Sequence, residues 1–252
     1  MSAGGKVYGL HAVEACLQRH GARVRRLWVQ QGRADARIEA LLTSAATLGL
    51  EVRRAPPEEL SRLAGEGVHQ GVLAEVDWPR PPTEVDLDDL VIQRGRELLL
   101  LVLDGVQDPH NLGACLRTAE AVGADAVIAP KDRAVGLTPV VRKVAAGAAE
   151  SLPFIQVTNL ARTIRGLQGA GVWVVGAAGE SPSSLYGADL TGPLALVLGS
   201  EADGLRRLTR ETCDLLVSIP MAGIVSSLNV SVAAGVCLFE ARRQRGTAVG
   251  LA

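Results

Sequence analysis

Residues 98–124 read LLLLVLDGVQDPHNLGACLRTAEAVGA. The opening run, Leu98 to Leu103, is aliphatic throughout. A strand with one wet face would alternate apolar and polar residues. An unbroken run belongs to a strand buried on both faces, as in a parallel sheet covered by helices. Asp104-Gly105 ends the run, and Asp108-Pro109-His110-Asn111 opens a helix. Asn111 reads as its N-cap. Leu112, Cys115, Leu116, Ala119 and Val122 then recur at helical spacing on one stripe. Gly123 terminates the helix. This one stretch therefore predicts an α/β unit with its polar turn at the carboxyl end of a strand.

The same alternation continues on the C-terminal side. Ala126–Ala129, Leu152–Val157, Val172–Val175, Leu194–Leu198 and Leu215–Ile219 read as strands with helices between them. That pattern predicts a mostly parallel sheet with helices on both faces. Towards the N-terminus a smaller α/β module is expected. It has helices at Gly9–Arg19, Ala34–Leu48 and from Pro57, with strands at Val24–Val29, Glu51–Arg53 and Gly71–Val76. Between the two lies WPRPPTEVDLDDL, whose Pro79, Pro81 and Pro82 favour a stiff, extended connection. Its Asp86, Asp88 and Asp89 are placed on a short solvated helix. The domains are expected at residues 1–78, 79–96 (linker) and 97–252.

Composition narrows the class. Of 252 residues, 48% are hydrophobic but only 3% aromatic, so the core must be aliphatic. No apolar run reaches the length of a membrane span, and the N-terminus has no apolar signal region, so a cytoplasmic protein without a membrane partner is expected. The net charge of −1 means that affinity for nucleic acid must come from local patches. Arg outnumbers Lys heavily, and codon bias is the simplest cause. Cys16, Cys115, Cys213 and Cys237 form no C-x-x-C pair. His11, His20, His69 and His110 lack metal-ligand spacing. No metal site is expected, and the cysteines read as reduced core residues. There is no G-x-G-x-x-G after a strand and no P-loop, which excludes the usual dinucleotide and nucleoside-triphosphate sites.

Two further stretches repeat the design of the first. Leu194–Leu198 runs into Gly199-Ser200-Glu201-Ala202-Asp203-Gly204. The glycines allow close approach of backbone to a ligand. Glu201 reads as a partner for Arg117, as a holder of a ligand hydroxyl, or as an ordinary turn carboxylate. Arg206, Arg207 and Arg210 follow and read as phosphate contacts or as a solvated face. Leu215–Ile219 is broken by Pro220, and Ser226 and Ser227 read as caps of a last helix. Its stripe is Leu228, Val232, Gly235, Val236 and Phe239, with Asn229 in the first turn. Arg242, Arg243 and Arg245 complement the helix dipole at its end. On the first helix Arg117 falls about 140° from Leu112, facing solvent, a partner subunit or a substrate. All three turns lie at the strand edge where open α/β sheets bind ligands.

The three motifs match a known pattern. N-x-G-x-x-x-R-T-A at Asn111–Ala119, G-x-E-x-x-G at Gly199–Gly204 and I-P-M-x-G-x-x-S-S-L-N-V-S-V-A at Ile219–Ala233 resemble those of the SpoU/TrmH family. These are RNA ribose 2′-O-methyltransferases of the SPOUT superfamily. YGLHAVEA, VHQGVLAEV, AAGAAES and LFEARRQR extend the resemblance over nearly the whole chain, towards members that act on a guanosine of 23S rRNA. The resemblance implies a C-terminal domain with a deep trefoil knot, an L30e-like N-terminal RNA-binding domain, and a homodimer joined through the knotted domain. It implies S-adenosylmethionine held by Gly199, Ile219 and Leu228, with Met221 and Ser227 beside them. It makes Arg117, Asn111, Glu201 and Asn229 the catalytic set. A guanidinium holds its proton, so clamping a phosphate suits Arg117 better than acting as base. Ala202 departs from the glycine frequent in the family. Two other readings stand beside this one: a tRNA guanosine 2′-O-methyltransferase, and a non-catalytic RNA-binding or assembly factor.

Overall fold

The computed structural model describes residues 3–246 apart from Glu66, Pro79 and Ala202. The departure at Ala202 thus lies outside the described residues. The chain divides into two compact units. Unit 1 comprises residues 1–81 with 137–151, and unit 2 comprises residues 82–136 with 152–252.

Unit 1 carries a four-stranded sheet in the order β1-β4-β2-β3, formed by β1 (Ala3–Tyr8), β2 (Val24–Gln30), β3 (Glu51–Ala55) and β4 (Val72–Trp78). Only β2 and β3 are parallel. Strand alternation sorts the side chains onto two faces. Val7, Leu27, Val29, Val72, Ala74 and Val76 join α1 (Leu10–His20) and α2 (Ala36–Thr47) in one core. Trp28, Ala55 and Leu73 meet Leu60 of α3 (Pro57–Ala64) in a second. β1 was not expected: AGGKVY lacks a strand composition, and it is pairing with β4 that makes it one. Leu137–Ser151, from the second half of the sequence, packs with this unit. It holds α6 (Pro139–Ala145) and α7 (Ala148–Ser151), and α7 lies on α1.

Unit 2 has α4 (Glu84–Arg94), then β5 (Leu99–Asp104), α5 (Pro109–Val122), β6 (Ala126–Pro130), β7 (Phe154–Val157) and α8 (Leu160–Gly169). It ends with β8 (Trp173–Ala177), β9 (Leu194–Gly199), α9 (Arg207–Thr212), β10 (Leu215–Val217) and α10 (Val230–Gln244). The six strands are all parallel, in the order β10-β8-β9-β5-β6-β7. β5 is buried along its whole length, as its composition requires. Leu98, Leu100, Val102, Ile128 and Val197 pack towards α4 and α8, and α5 and α10 pack on one another. The acidic stretch is helical as expected, with Asp88 and Asp89 exposed, but one side of α4 is not solvated. Leu87 of α4 is buried in this core, and Thr83 with Asp86 forms a capping box. After β7 the chain crosses to the other side of β5, so β5 and β9 flank the switch point where α/β sheets bind ligands. No described helix is long and apolar enough to cross a membrane.

Four other local expectations are corrected. Asp108 caps α5, its carboxylate accepting the amides of His110 (2.6 Å) and Asn111 (3.3 Å), so Asn111 sits in the first turn. Asn229, not Ser226 or Ser227, caps α10. The α10 stripe faces outward: Val230, Ala234, Cys237, Leu238 and Ala241 are buried, while Val232 and Phe239 are 52% and 55% exposed. Arg245 is no mere dipole complement. Its guanidinium donates to the carbonyls of Glu97 (2.9 Å), Leu98 (3.0 Å) and Gly192 (2.5 Å).

Candidate active site

The three polar turns converge. Asn111 of α5, Glu201 after β9 and Asn229 at the cap of α10 are joined directly. Glu201 Oε1 accepts Asn111 Nδ2 and Asn229 Nδ2, each at 2.5 Å, and Asn229 Nδ2 also reaches Asn111 Oδ1 at 3.0 Å. The cap geometry fixes Asn229, whose Oδ1 accepts the backbone amide (2.9 Å) and hydroxyl (2.6 Å) of Ser231. With that oxygen committed, its amide hydrogens must point at the carboxylate. Residues 90 and 118 positions from Asn111 thus share one hydrogen-bonded cluster.

The turn that carries Glu201 is tight. Ser200 and Gly204 exchange backbone hydrogen bonds of 3.1 and 2.9 Å. Gly204 has a φ of +65°, and a Cβ on Gly199 would overlap the Gly204 carbonyl and the Leu205 amide. Both glycines are therefore required by backbone geometry.

Beside the cluster lies a cavity of about 560 Å³. Gly199, Ile219, Met221, Ser227 and Leu228 all line it, with Glu201 on the same wall. Asp203 adds a second carboxylate and Glu180 a third, the latter ion-paired with Arg210 outside the lining, and no Lys, Arg or His is among the described lining residues. The size falls within the usual ~300–1,000 Å³ for a small-molecule site. An apolar wall with carboxylates and no cation suits a ligand that is partly flat and apolar and carries positive charge.

Arg117 stands apart. It is exposed on α5 and makes no hydrogen bond among the described residues. It does not pair with Glu201, whose bonded oxygen is taken by the two amides. It lies six positions from Asn111, about 240° around the helix, so the two side chains leave on different faces. Arg206, Arg207 and Arg210 are engaged with Asp104, Glu211 and Glu180. Burial pushes the thiols of Cys16, Cys115, Cys213 and Cys237 up to about 12, which makes them inert as nucleophiles. Among the described residues no group of His, Cys, Asp or Glu is placed to hold a metal ion.

The family model described as "SpoU rRNA Methylase family" matches residues 98–239. The chain belongs to the SpoU rRNA methylase family. A second model, "RNA 2'-O ribose methyltransferase substrate binding", matches residues 6–82. Among curated SpoU proteins, the 23S rRNA (guanosine-2'-O-)-methyltransferase RlmB of Pseudomonas putida is 58% identical over 95% of this chain and 96% of its own. RlmB of Haemophilus influenzae is 55% identical over 95% and 98%. Among solved SpoU structures, the methyltransferase AviRb of Streptomyces viridochromogenes in complex with AdoMet is 28% identical. It covers 96% of this chain and 90% of its own, with a TM-score of 0.78. The TrmH/SpoU tRNA modifying enzyme of A. aeolicus covers only 64% of this chain, with a TM-score of 0.54. Within the SpoU frame one buried residue escaped the sequence reading. Asp104, at the end of β5, is an acidic residue closing an aliphatic run, and that incongruity was its only signal.

Proposed function

We propose that this chain transfers a methyl group from S-adenosylmethionine to the ribose 2′-hydroxyl of a guanosine in 23S rRNA. The observation that carries the reading is the Asn111–Glu201–Asn229 cluster on the wall of a carboxylate-bearing, cation-free cavity. S-adenosylmethionine supplies a cationic sulfonium with an electrophilic methyl, which such a lining accommodates.

The protein's own task is then position and proton handling. Gly199, Ile219 and Leu228 supply backbone and apolar contacts, with Met221 and Ser227 at the rim. Asn111 and Asn229 fix one oxygen of Glu201, and Oε2 takes no hydrogen bond among the described residues. That free oxygen accepts the ribose hydroxyl and receives its proton. Arg117, unengaged and exposed, clamps an RNA phosphate. Unit 1 selects the RNA, in line with its match to the substrate-binding family model. A folded RNA is read where a nucleotide is accessible.

The same reading includes the trefoil knot, a cytoplasmic location and a homodimer built on the C-terminal region. The outward α10 stripe supports the homodimer: Val232, Val236 and Phe239 recur at i, i+4 and i+7 with the core on the opposite side.

Arg117→Ala should cut methyl transfer to unmodified 23S rRNA by roughly 100-fold or more, at unchanged affinity for S-adenosylmethionine. Calorimetry and a labelled-methyl assay check both halves. A fully active variant would refute the clamp.

A further inference from the structure

Asp104 closes β5, and its side chain has no solvent exposure. A carboxylate so enclosed must be paired. Its partner arrives from 102 positions away: the backbone amide of Arg206 donates to Oδ2 at 2.9 Å and Nε donates to Oδ1 at 2.5 Å. Arg206 Nη2 lies 2.5 Å from the same Oδ1. Arg206 sits just beyond the Gly199–Gly204 turn. The other end of that turn is also tied to β5, since Gly199 is the ladder partner of Asp104. Both ends of the segment carrying Glu201 are thus fixed to one residue of β5. Asp104 and Arg206 lie outside the cavity lining and outside the asparagine–glutamate cluster.

We propose that Asp104 and Arg206 are a positioning pair for methyl transfer. Their salt bridge sets the tilt of the Ser200–Gly204 turn, and through it the Glu201 carboxylate and one wall of the cofactor cavity. The geometry explains why a guanidinium is used here. Three contacts from one residue, one of them from its backbone, fix orientation where a single point charge would fix only distance. The proposal rests on the reading of the cavity as the S-adenosylmethionine site.

The test uses Arg206→Gln and Arg206→Lys in the full chain, because each keeps the backbone amide on Asp104 Oδ2 and a side-chain donor beside the enclosed carboxylate, which a truncated side chain would leave unpaired. Three quantities are read: amide hydrogen exchange without cofactor, the Kd for S-adenosylmethionine, and methyl transfer alone and combined with Glu201→Gln. For Arg206→Gln, exchange over residues 199–206 should quicken about tenfold while the amides of β6 and β7 keep their protection. The Kd should rise about tenfold. Methyl transfer should fall, yet on the Glu201→Gln background the further loss should stay under about threefold, since the two residues act through one turn. Arg206→Lys should fall between wild type and Arg206→Gln on every readout. Unchanged exchange over 199–206, losses that multiply fully, or protection lost equally across the sheet would each overturn the proposal. Should the wild-type protein bind no S-adenosylmethionine, the reading of the cavity fails, while the exchange result still decides whether the salt bridge holds the turn.

Discussion

Under the proposed mechanism, Glu201 depends on two neutral neighbours. Asn111 and Asn229 orient the carboxylate without neutralising it, which an arginine partner would do. The residue types were legible in the sequence because each sits in a turn between apolar runs. Their mutual contacts were not, because spacing does not tell which side-chain oxygen faces which amide. Glu150 in unit 1 shows the opposite environment. Its side chain is fully enclosed and pairs with Arg142 at 2.9 Å, while Oε2 has no hydrogen-bond partner. Burial raises its pKa more than Arg142 lowers it. The folded value therefore lies above the unfolded one. The matching stability is present below the ordinary glutamate range of about 4.3 and is lost as pH rises through the folded value. Glu150→Gln should remove that loss. Thermal melts from pH 4 to pH 8 should show the variant gaining on wild type as pH increases, and a constant difference would contradict this.

At the scale of elements, α10 teaches most. Helical periodicity revealed a Leu228–Val232–Val236–Phe239 stripe, but periodicity cannot say what covers a stripe. The core took the Val230–Ala234–Leu238–Ala241 face instead, because small residues there let α10 approach α5. An apolar outer face two turns long is costly in water unless a partner covers it. On the homodimer reading, Phe239→Asp should weaken self-association by roughly 100-fold while leaving the fold intact, since the side chain is already half exposed in one chain. Light scattering across a dilution series checks it; an unchanged association constant would remove α10 from the interface. The two helix caps were misplaced for a related reason. Asp108 and Asn229 compete with nearby Asn111, Ser226 and Ser227, all good cap formers, and only the path of the chain chooses among them.

For the whole molecule, the aliphatic run at Leu98–Leu103 was enough to predict the parallel sheet, since only burial on both faces tolerates it. β1 was hidden because glycines fill a third of AGGKVY, and a long-range partner gives it its conformation. The packing of Leu137–Ser151 with unit 1 was hidden because contiguity in sequence is a poor guide to where a segment packs. The Asp104–Arg206 pair was hidden because nothing local links positions 104 and 206. These failures share a cause: each depends on a contact made only once the sheet exists. The central claim is chemical, and one measurement reaches it. Labelled S-adenosylmethionine is incubated with unmodified 23S rRNA and either wild-type protein or Glu201→Gln, and the product is digested to nucleosides and mapped. The account predicts one 2′-O-methylguanosine with the wild type and a yield lower by roughly 100-fold with the variant. Methyl on a base, or equal yields from the two proteins, would contradict it.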